Sequence, residues 1–247
     1  MSAAFDPRRI VAMGGGGFSM NDSFSPLDGL VLSVAREAAA RRGARDASRP
    51  RVCFIGTASG DAETYLARFH AAWDDVAEAS QLLLFNREVE DIGEFLGSQD
   101  AVYVGGGNTA NMLAIWRVHG VDEALRSAWQ RGVVMAGISA GSLCWFEGGT
   151  TDSFGPNLAP YRGGLGILAG SNSPHFDGEE RRRPLYHRLI AAGELPDGLA
   201  ADDGAALVFH GTTLTECVSE RQGAGCYRVT RTDEGAAEVA LPVRQLP

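Results

Sequence analysis

The sequence predicts an α/β fold, a mostly parallel sheet with helices on both faces, followed by a C-terminal β-hairpin. Three observations carry this. Short apolar runs alternate with helix-length amphipathic segments through the first 146 residues. The runs are almost uninterrupted in Val, Ile, Ala and Met, as strands buried on both faces must be. Glycine-rich turns follow the runs, where such a sheet gathers its ligand-binding loops.

The elements follow in order. Arg9-Ile10-Val11-Ala12-Met13 is the first strand, ended by the glycines at 14–17. Residues 27–42 carry Leu30, Val31, Val34, Ala35 and Ala38, a helical stripe. Residues 51–58 are the second strand and enter a turn at 56–60. Residues 62–79 read as a helix on Tyr65, Leu66, Phe69, Trp73 and Val76. Residues 81–85 read as a strand and 92–96 as a short helix or turn. Residues 101–104 form a strand running into Gly105-Gly106-Gly107-Asn108-Thr109, and 110–119 and 122–131 are two helical pieces. The apolar run at 133–136 leads into Gly137-Ile138-Ser139-Ala140-Gly141, with a helical pattern after it. The glycine turns at 14–17, 56–60, 105–109 and 137–141 should converge on one crevice beyond the strand ends. Further on, 204–209 and 214–218 read as strands paired around a turn at 210–213. Residues 226–230 and 237–241 flank Asp233-Glu234-Gly235, a hairpin signal. No Pro/Ser-rich linker and no repeat interrupts the chain, so 1–247 is read as a single domain.

Composition bounds the partners. A chain of 247 residues can bury a full α/β core. Apolar residues at 45% and charged residues at 21% fit a soluble globular protein. The net charge is −9, and the basic cluster is confined to Arg181-Arg182-Arg183, which excludes a phosphate-binding surface for nucleic acid. No apolar run approaches the ~20 residues of a membrane span. The first nine residues lack a signal-peptide h-region, so the cytoplasm is the expected compartment. Cys53 and Cys144 lie in apolar segments and are expected in the core. Cys217 and Cys226 could pair geometrically, but a cytoplasmic protein keeps thiols reduced. No Cys/His spacing suggests zinc, and no metal or organic cofactor is expected.

The chemistry centres on Ser139. A G-x-S-x-G corner between strand and helix lifts a hydroxyl out of the backbone, where a base can reach it. The flanking glycines suit a turn too tight for Cβ atoms. The glycines at 14–17 lack the G-x-G-x-x-G of a dinucleotide site, because Ser19 occupies the last position. The 105–109 turn lacks the lysine of a P-loop. Its N–H groups, from Gly106 or Gly107, suit an oxyanion hole together with Ala140. It is equally a strand-to-helix turn with Asn108 or Thr109 as N-cap. Of five histidines, His70, His119 and His187 fall in or beside helices and His210 at a hairpin turn. His175, in Pro174-His175-Phe176, sits where a loop starts at the sheet edge and is the best base. Asp152, Asp177, Asp202 and Asp203 could orient it. Asp203 stands at the mouth of the 205–209 strand and can support the ring from behind, whereas Asp177 would have to fold back.

Together, Gly105-Gly106-Gly107-Asn108-Thr109, Gly137-Ile138-Ser139-Ala140-Gly141, Pro174-His175-Phe176 and Asp203-Gly204 resemble the peptidase E (aspartyl dipeptidase) family, over nearly the whole chain. The resemblance implies a flavodoxin-like, class I glutamine-amidotransferase-like fold. It implies Ser139 as nucleophile, His175 as base and Asp203 as acid, where typical members carry glutamate before the glycine. It implies a serine peptidase cleaving dipeptides with N-terminal aspartate. One arginine of the run Arg181-Arg182-Arg183, best Arg181, would clamp the substrate carboxylate, and Asn108 and Asp152 would line the pocket. The terminal hairpin is similar to the tail of the dipeptidase-type members. The expected partners are a short peptide substrate and, at most, a second copy of the chain. A cyanophycinase-like hydrolase on the same scaffold and a non-enzymatic binding domain are the rival readings.

Overall fold

The computed structural model describes residues 6–21 and 23–247. Its centre is an eight-stranded sheet in the order β14-β11-β10-β1-β5-β4-β2-β3. The strands are β1 (Arg9–Met13), β2 (Arg51–Ile55), β3 (Glu78–Leu82), β4 (Ala101–Val104), β5 (Val134–Ile138), β10 (Ala205–His210), β11 (Thr213–Ser219) and β14 (Val243–Gln245). The run β1-β5-β4-β2-β3 is parallel, while β10 joins β1 antiparallel and β11 joins β10 antiparallel. The parallel part forms because β1, β4 and β5 are buried along their whole length. Their alternate side chains divide between two cores. Ile10, Ala12, Val102, Val104 and Met135 face one, and Val11, Met13, Tyr103, Val134 and Ala136 face the other. That is the period of two expected of strands covered on both sides.

The covering helices include α1 (Gly17–Met20), α2 (Pro26–Arg41), α3 (Glu63–Trp73), α4 (Ile92–Ser98), α5 (Thr109–His119), α6 (Val121–Gln130) and α7 (Ala140–Leu143). Helix α2 is started by a capping box between Ser25 and Asp28. The helix expected at 62–79 stops at Trp73, because the N–H groups of Val76 and Ala77 both turn back to the Trp73 carbonyl. Strand β3 therefore begins earlier than the 81–85 segment suggests. After Leu82 the chain is turned by Asp61, whose carboxylate accepts the N–H of Leu84 at 2.7 Å and of Phe85 at 3.1 Å.

A second sheet was not legible. Its six strands run β13-β12-β9-β8-β6-β7, with β6 (Gly148–Thr151), β7 (Ala159–Arg162), β8 (Ser171–Ser173), β9 (Gly198–Ala201), β12 (Cys226–Thr232) and β13 (Gly235–Leu241). The hairpin β12–β13 forms as expected, but it is no appendage: β12 pairs with β9 and completes this sheet. The short strands are glycine- and serine-rich because backbones press on them. A Cβ on Gly148 would lie 2.2 Å from the Tyr161 carbonyl oxygen, and one on Gly149 2.0 Å from that of Asn172. Helix α8 (Arg182–Ala191) packs on this sheet. All four cysteines are free and buried. Among the described residues no helix is long and apolar enough to cross a membrane.

Candidate active site

Ser139 stands at the corner between β5 and α7 with φ 56° and ψ −111°. Such a conformation costs a non-glycine residue about 1–3 kcal/mol, so the surroundings must impose it. They do. A Cβ on Gly137 would fall 2.1 Å from the Gly141 carbonyl oxygen, and one on Gly141 2.2 Å from that of Val104. The Ser139 N–H donates to the Met13 carbonyl at 3.2 Å, and its own carbonyl accepts the N–H of Ser142 and Leu143 at 2.9 Å each. The hydroxyl is half-buried and makes no hydrogen bond to a described residue.

The turn after β4 lies against this serine. A Cβ on Gly106 would stand 3.3 Å from the Ser139 Cβ. Gly107 has φ +135° and presses on the Ala58 carbonyl oxygen, 2.3 Å from a Cβ built there, so only glycine fits. Gly106 and Gly107 were equivalent as oxyanion donors in the sequence, but the structure distinguishes them. The Gly106 N–H is already taken by the Tyr65 hydroxyl at 3.2 Å. The Gly107 N–H has no acceptor among the described residues, nor has that of Ala140 within its helix, of which it is the first residue. Asn108 caps α5, accepting the Asn111 N–H at 2.8 Å, and its amide donates to the Ser153 carbonyl at 3.0 Å.

His175 follows β8 with φ 51°, its N–H donating to the Gly14 carbonyl at 3.2 Å. Its Nδ1 lies 2.5 Å from Asp203 Oδ1. Asp203 occupies the corner between β9 and β10, bridged to Gly15. Its N–H donates to Asp177 Oδ1 at 2.9 Å, and its carbonyl accepts from Arg221 Nε at 2.9 Å, while Arg221 also pairs with Asp177. The hydrogen bond from His175 holds the Asp203 carboxyl below its usual range, helped by the charges of His175, Arg221 and Arg182 and opposed by burial. Asp202 points elsewhere. Its carboxylate accepts the Gly225 N–H at 2.8 Å and the Tyr227 hydroxyl at 3.2 Å, and burial pushes its pKa up.

Ser139 and His175 share a cavity of about 300 Å³ with Gly107, Asn108, Asp152, Glu179 and Arg182. The cleft arginine is therefore Arg182, not the expected Arg181, which is exposed at the N-cap of α8. Arg182 is 4% exposed. Its Nη1 donates to the Thr150 carbonyl at 2.9 Å and hydroxyl at 3.2 Å, and its Nη2 to Glu179 Oε1 at 2.7 Å. Its Nε is buried with no partner. Arg183 is committed elsewhere, paired with Glu238 and stacked on the Tyr227 ring at 4.8 Å. Among the described residues no group of three or more His, Cys, Asp or Glu is placed to hold a metal ion.

The family model described as Peptidase family S51 matches residues 10–217, a span containing every residue of this cleft. The chain belongs to peptidase family S51. A relative from Bacillus subtilis (strain 168), "Uncharacterized peptidase YgaJ", is 47% identical over 240 residues, 97% of this chain and 99% of its own. Two solved structures share the fold. The crystal structure of a peptidase from an acI-B1 Actinobacterium matches with a TM-score of 0.70 at 17% identity, covering 96% of this chain and 94% of its own. A putative peptidase E protein from Listeria monocytogenes EGD-e matches with a TM-score of 0.55 at 15% identity, covering 84% and 96%.

Several site residues of this S51 peptidase escaped the sequence reading. Arg182 was one of three arginines the sequence left open, and it carried a signal: with Tyr186, Leu189 and Ile190 it forms the buried face of α8, a helical spacing that singles it out from its neighbours. Tyr65 was assigned to the core stripe of its helix, and its hydroxyl gave no hint of a glycine turn 41 residues on. Glu179 and Arg221 lie on loops and left no periodic trace; Asp177, weighed in the sequence as the acid for His175, instead accepts the Asp203 N–H.

Proposed function

We propose that this chain is a serine peptidase that hydrolyses dipeptides with N-terminal aspartate. The observation that carries the reading is the sharing of one small cavity by a serine held at positive φ and a histidine 2.5 Å from a buried-side carboxylate. Ser139 Oγ attacks the peptide carbonyl as His175 Nε2 takes its proton. Asp203 fixes the tautomer by accepting from Nδ1 and stabilises the imidazolium. The N–H groups of Gly107 and Ala140 receive the oxyanion. His175 returns the proton to the leaving amine, and a water activated by the same ring then hydrolyses the acyl-enzyme. The missing Ser139–His175 hydrogen bond is compatible with this, since such contacts often tighten only in the complex.

The substrate reading rests on Arg182. Arg182 lines the cavity with its Nη1 and Nη2 engaged by Thr150 and Glu179, and its unpartnered Nε–H is a charged donor for a carboxylate such as the β-carboxylate of aspartate. Glu179 and Asp152 give acidic partners for the free α-ammonium beside it. A cavity of about 300 Å³ is at the small end of ligand clefts and suits a dipeptide better than a polymer. The test is a dipeptide panel with Ser139→Ala as control. Asp-Leu should be cleaved far faster than Ala-Leu or Glu-Leu, and the variant should be inert. Equal rates on all three would refute the aspartate specificity, and an active Ser139→Ala would refute the nucleophile.

A further inference from the structure

The Tyr65 hydroxyl is the polar group behind the oxyanion turn. It accepts the Gly106 N–H at 3.2 Å and lies 2.5 Å from Ser19 Oγ. Its position is set from several sides. The ring meets Phe54 edge-on at 5.0 Å and Phe18 at 5.7 Å. A Cβ on Gly105 would fall 2.9 Å from its Cε1. Helix α1, which carries Ser19, is tied to α3, which carries Tyr65. Arg68 makes the tie, its Nη2 donating to the carbonyls of Phe18 at 3.1 Å and Asn21 at 2.9 Å.

This matters because glycines can orient their peptide planes in more than one way, and backbone bonds fix this turn only at its ends, from the Gly105 N–H to the Ile55 carbonyl at 3.0 Å and from the Asn108 N–H to the Ala58 carbonyl at 2.8 Å. Two adjacent N–H groups then compete to serve one oxygen. Gly106 has its donor drawn off by Tyr65, while Gly107, with no acceptor of its own, lines the cavity with Ser139. We propose that Tyr65, oriented by Ser19, is a positioning residue of the oxyanion hole: by accepting the Gly106 N–H it commits the turn to offering Gly107. It touches neither substrate nor reacting atoms. The inference rests on Ser139 being the nucleophile.

The test is Tyr65→Phe, which keeps the ring and its packing. One readout is the rate of labelling by a fluorophosphonate. Ser139 Oγ bonds to phosphorus as the P–F bond breaks, fluoride leaves, the serine proton passes to His175, and the phosphoryl oxygen uses the same N–H donors. The other is kcat and KM on Asp-Leu. Labelling and kcat should fall by about tenfold to a hundredfold, less than the roughly 10²–10³ of a donor removed outright, with KM within about twofold. A labelling rate equal to wild type, or a loss confined to KM, overturns the inference. Wild type that reacts with no fluorophosphonate overturns the nucleophile reading and this inference with it, whereas labelled wild type with an equally labelled variant overturns this inference alone. If Tyr65→Phe does not fold, Ser19→Ala is read instead. Slower labelling at unchanged KM supports the inference, and unchanged labelling refutes it.

Discussion

Asp203 is wedged between two glycines. A Cβ on Gly15 would stand 2.0 Å from Asp203 Oδ1, and one on Gly178 2.4 Å from Oδ2. The two glycines leave the carboxylate the space in which it meets His175.

Gly178→Ala should consequently damage catalysis without touching the substrate. Pushing the acid aside tilts the imidazole, and a misplacement of about 1 Å can cost 10²-fold. We expect kcat to fall by at least about tenfold with KM little changed. Asp203→Glu should fare no better, since its extra methylene has no space. Steady-state kinetics of the two variants check this, and wild-type turnover in either would remove the wedge argument.

Arg182→Lys should lower kcat/KM on Asp-Leu by about tenfold to a hundredfold, because a lysine carries no N–H at the Nε position. Arg181→Ala should leave it within about twofold. The reverse order would return the clamp to the exposed arginine.

Ser139→Gly should be inactive and more stable. Glycine accepts φ 56° without strain, so about 1–2 kcal/mol of backbone cost is relieved. A rise in Tm over wild type, absent in Ser139→Ala, is the expected signature.

Two aspartates should pull the pH profile of stability in opposite directions. The Asp203 carboxyl is held below its unfolded value of 3.8, so the stability it contributes is present above that pH and is lost as pH falls through its folded pKa. Asp28 is buried, and burial, outweighing its hydrogen bonds from Ser25 and Phe18, raises its pKa from 3.8 to about 6. Folding then favours its protonated form, so its contribution is best below pH 3.8 and is lost as pH rises through about 6. Asp28→Asn should gain more Tm, relative to wild type, at pH 7.5 than at pH 4. Equal shifts at both values would contradict the assignment.

How much of this was legible depended on whether the signal was local. The strand before Ser139 and the glycines around it are contiguous, so the corner could be read from one pentapeptide and its flanks. His175 stands out for following the apolar run at 165–168, and Asp203 for standing at the mouth of the 205–209 strand. The second sheet was hidden because Ser171-Asn172-Ser173 carries no apolar alternation: its burial comes from partners far along the chain. The choice of Arg182 over Arg181 needed the phase of a helix whose first turn is all arginine and proline. Gly106 and Gly107 could not be told apart without Tyr65, a contact made only in three dimensions.

The pairing of β12 with β9 has a bearing on how the molecule comes into being. The Asp202 N–H donates to the Gly225 carbonyl at 3.0 Å, and Cys226 and Tyr227 register against Ala201 and Ala200. The corner that holds Asp203 is thus fastened by residues translated more than twenty codons later. Synthesis from the N-terminus therefore delivers Ser139 and His175 before the residues that fasten the Asp203 corner exist.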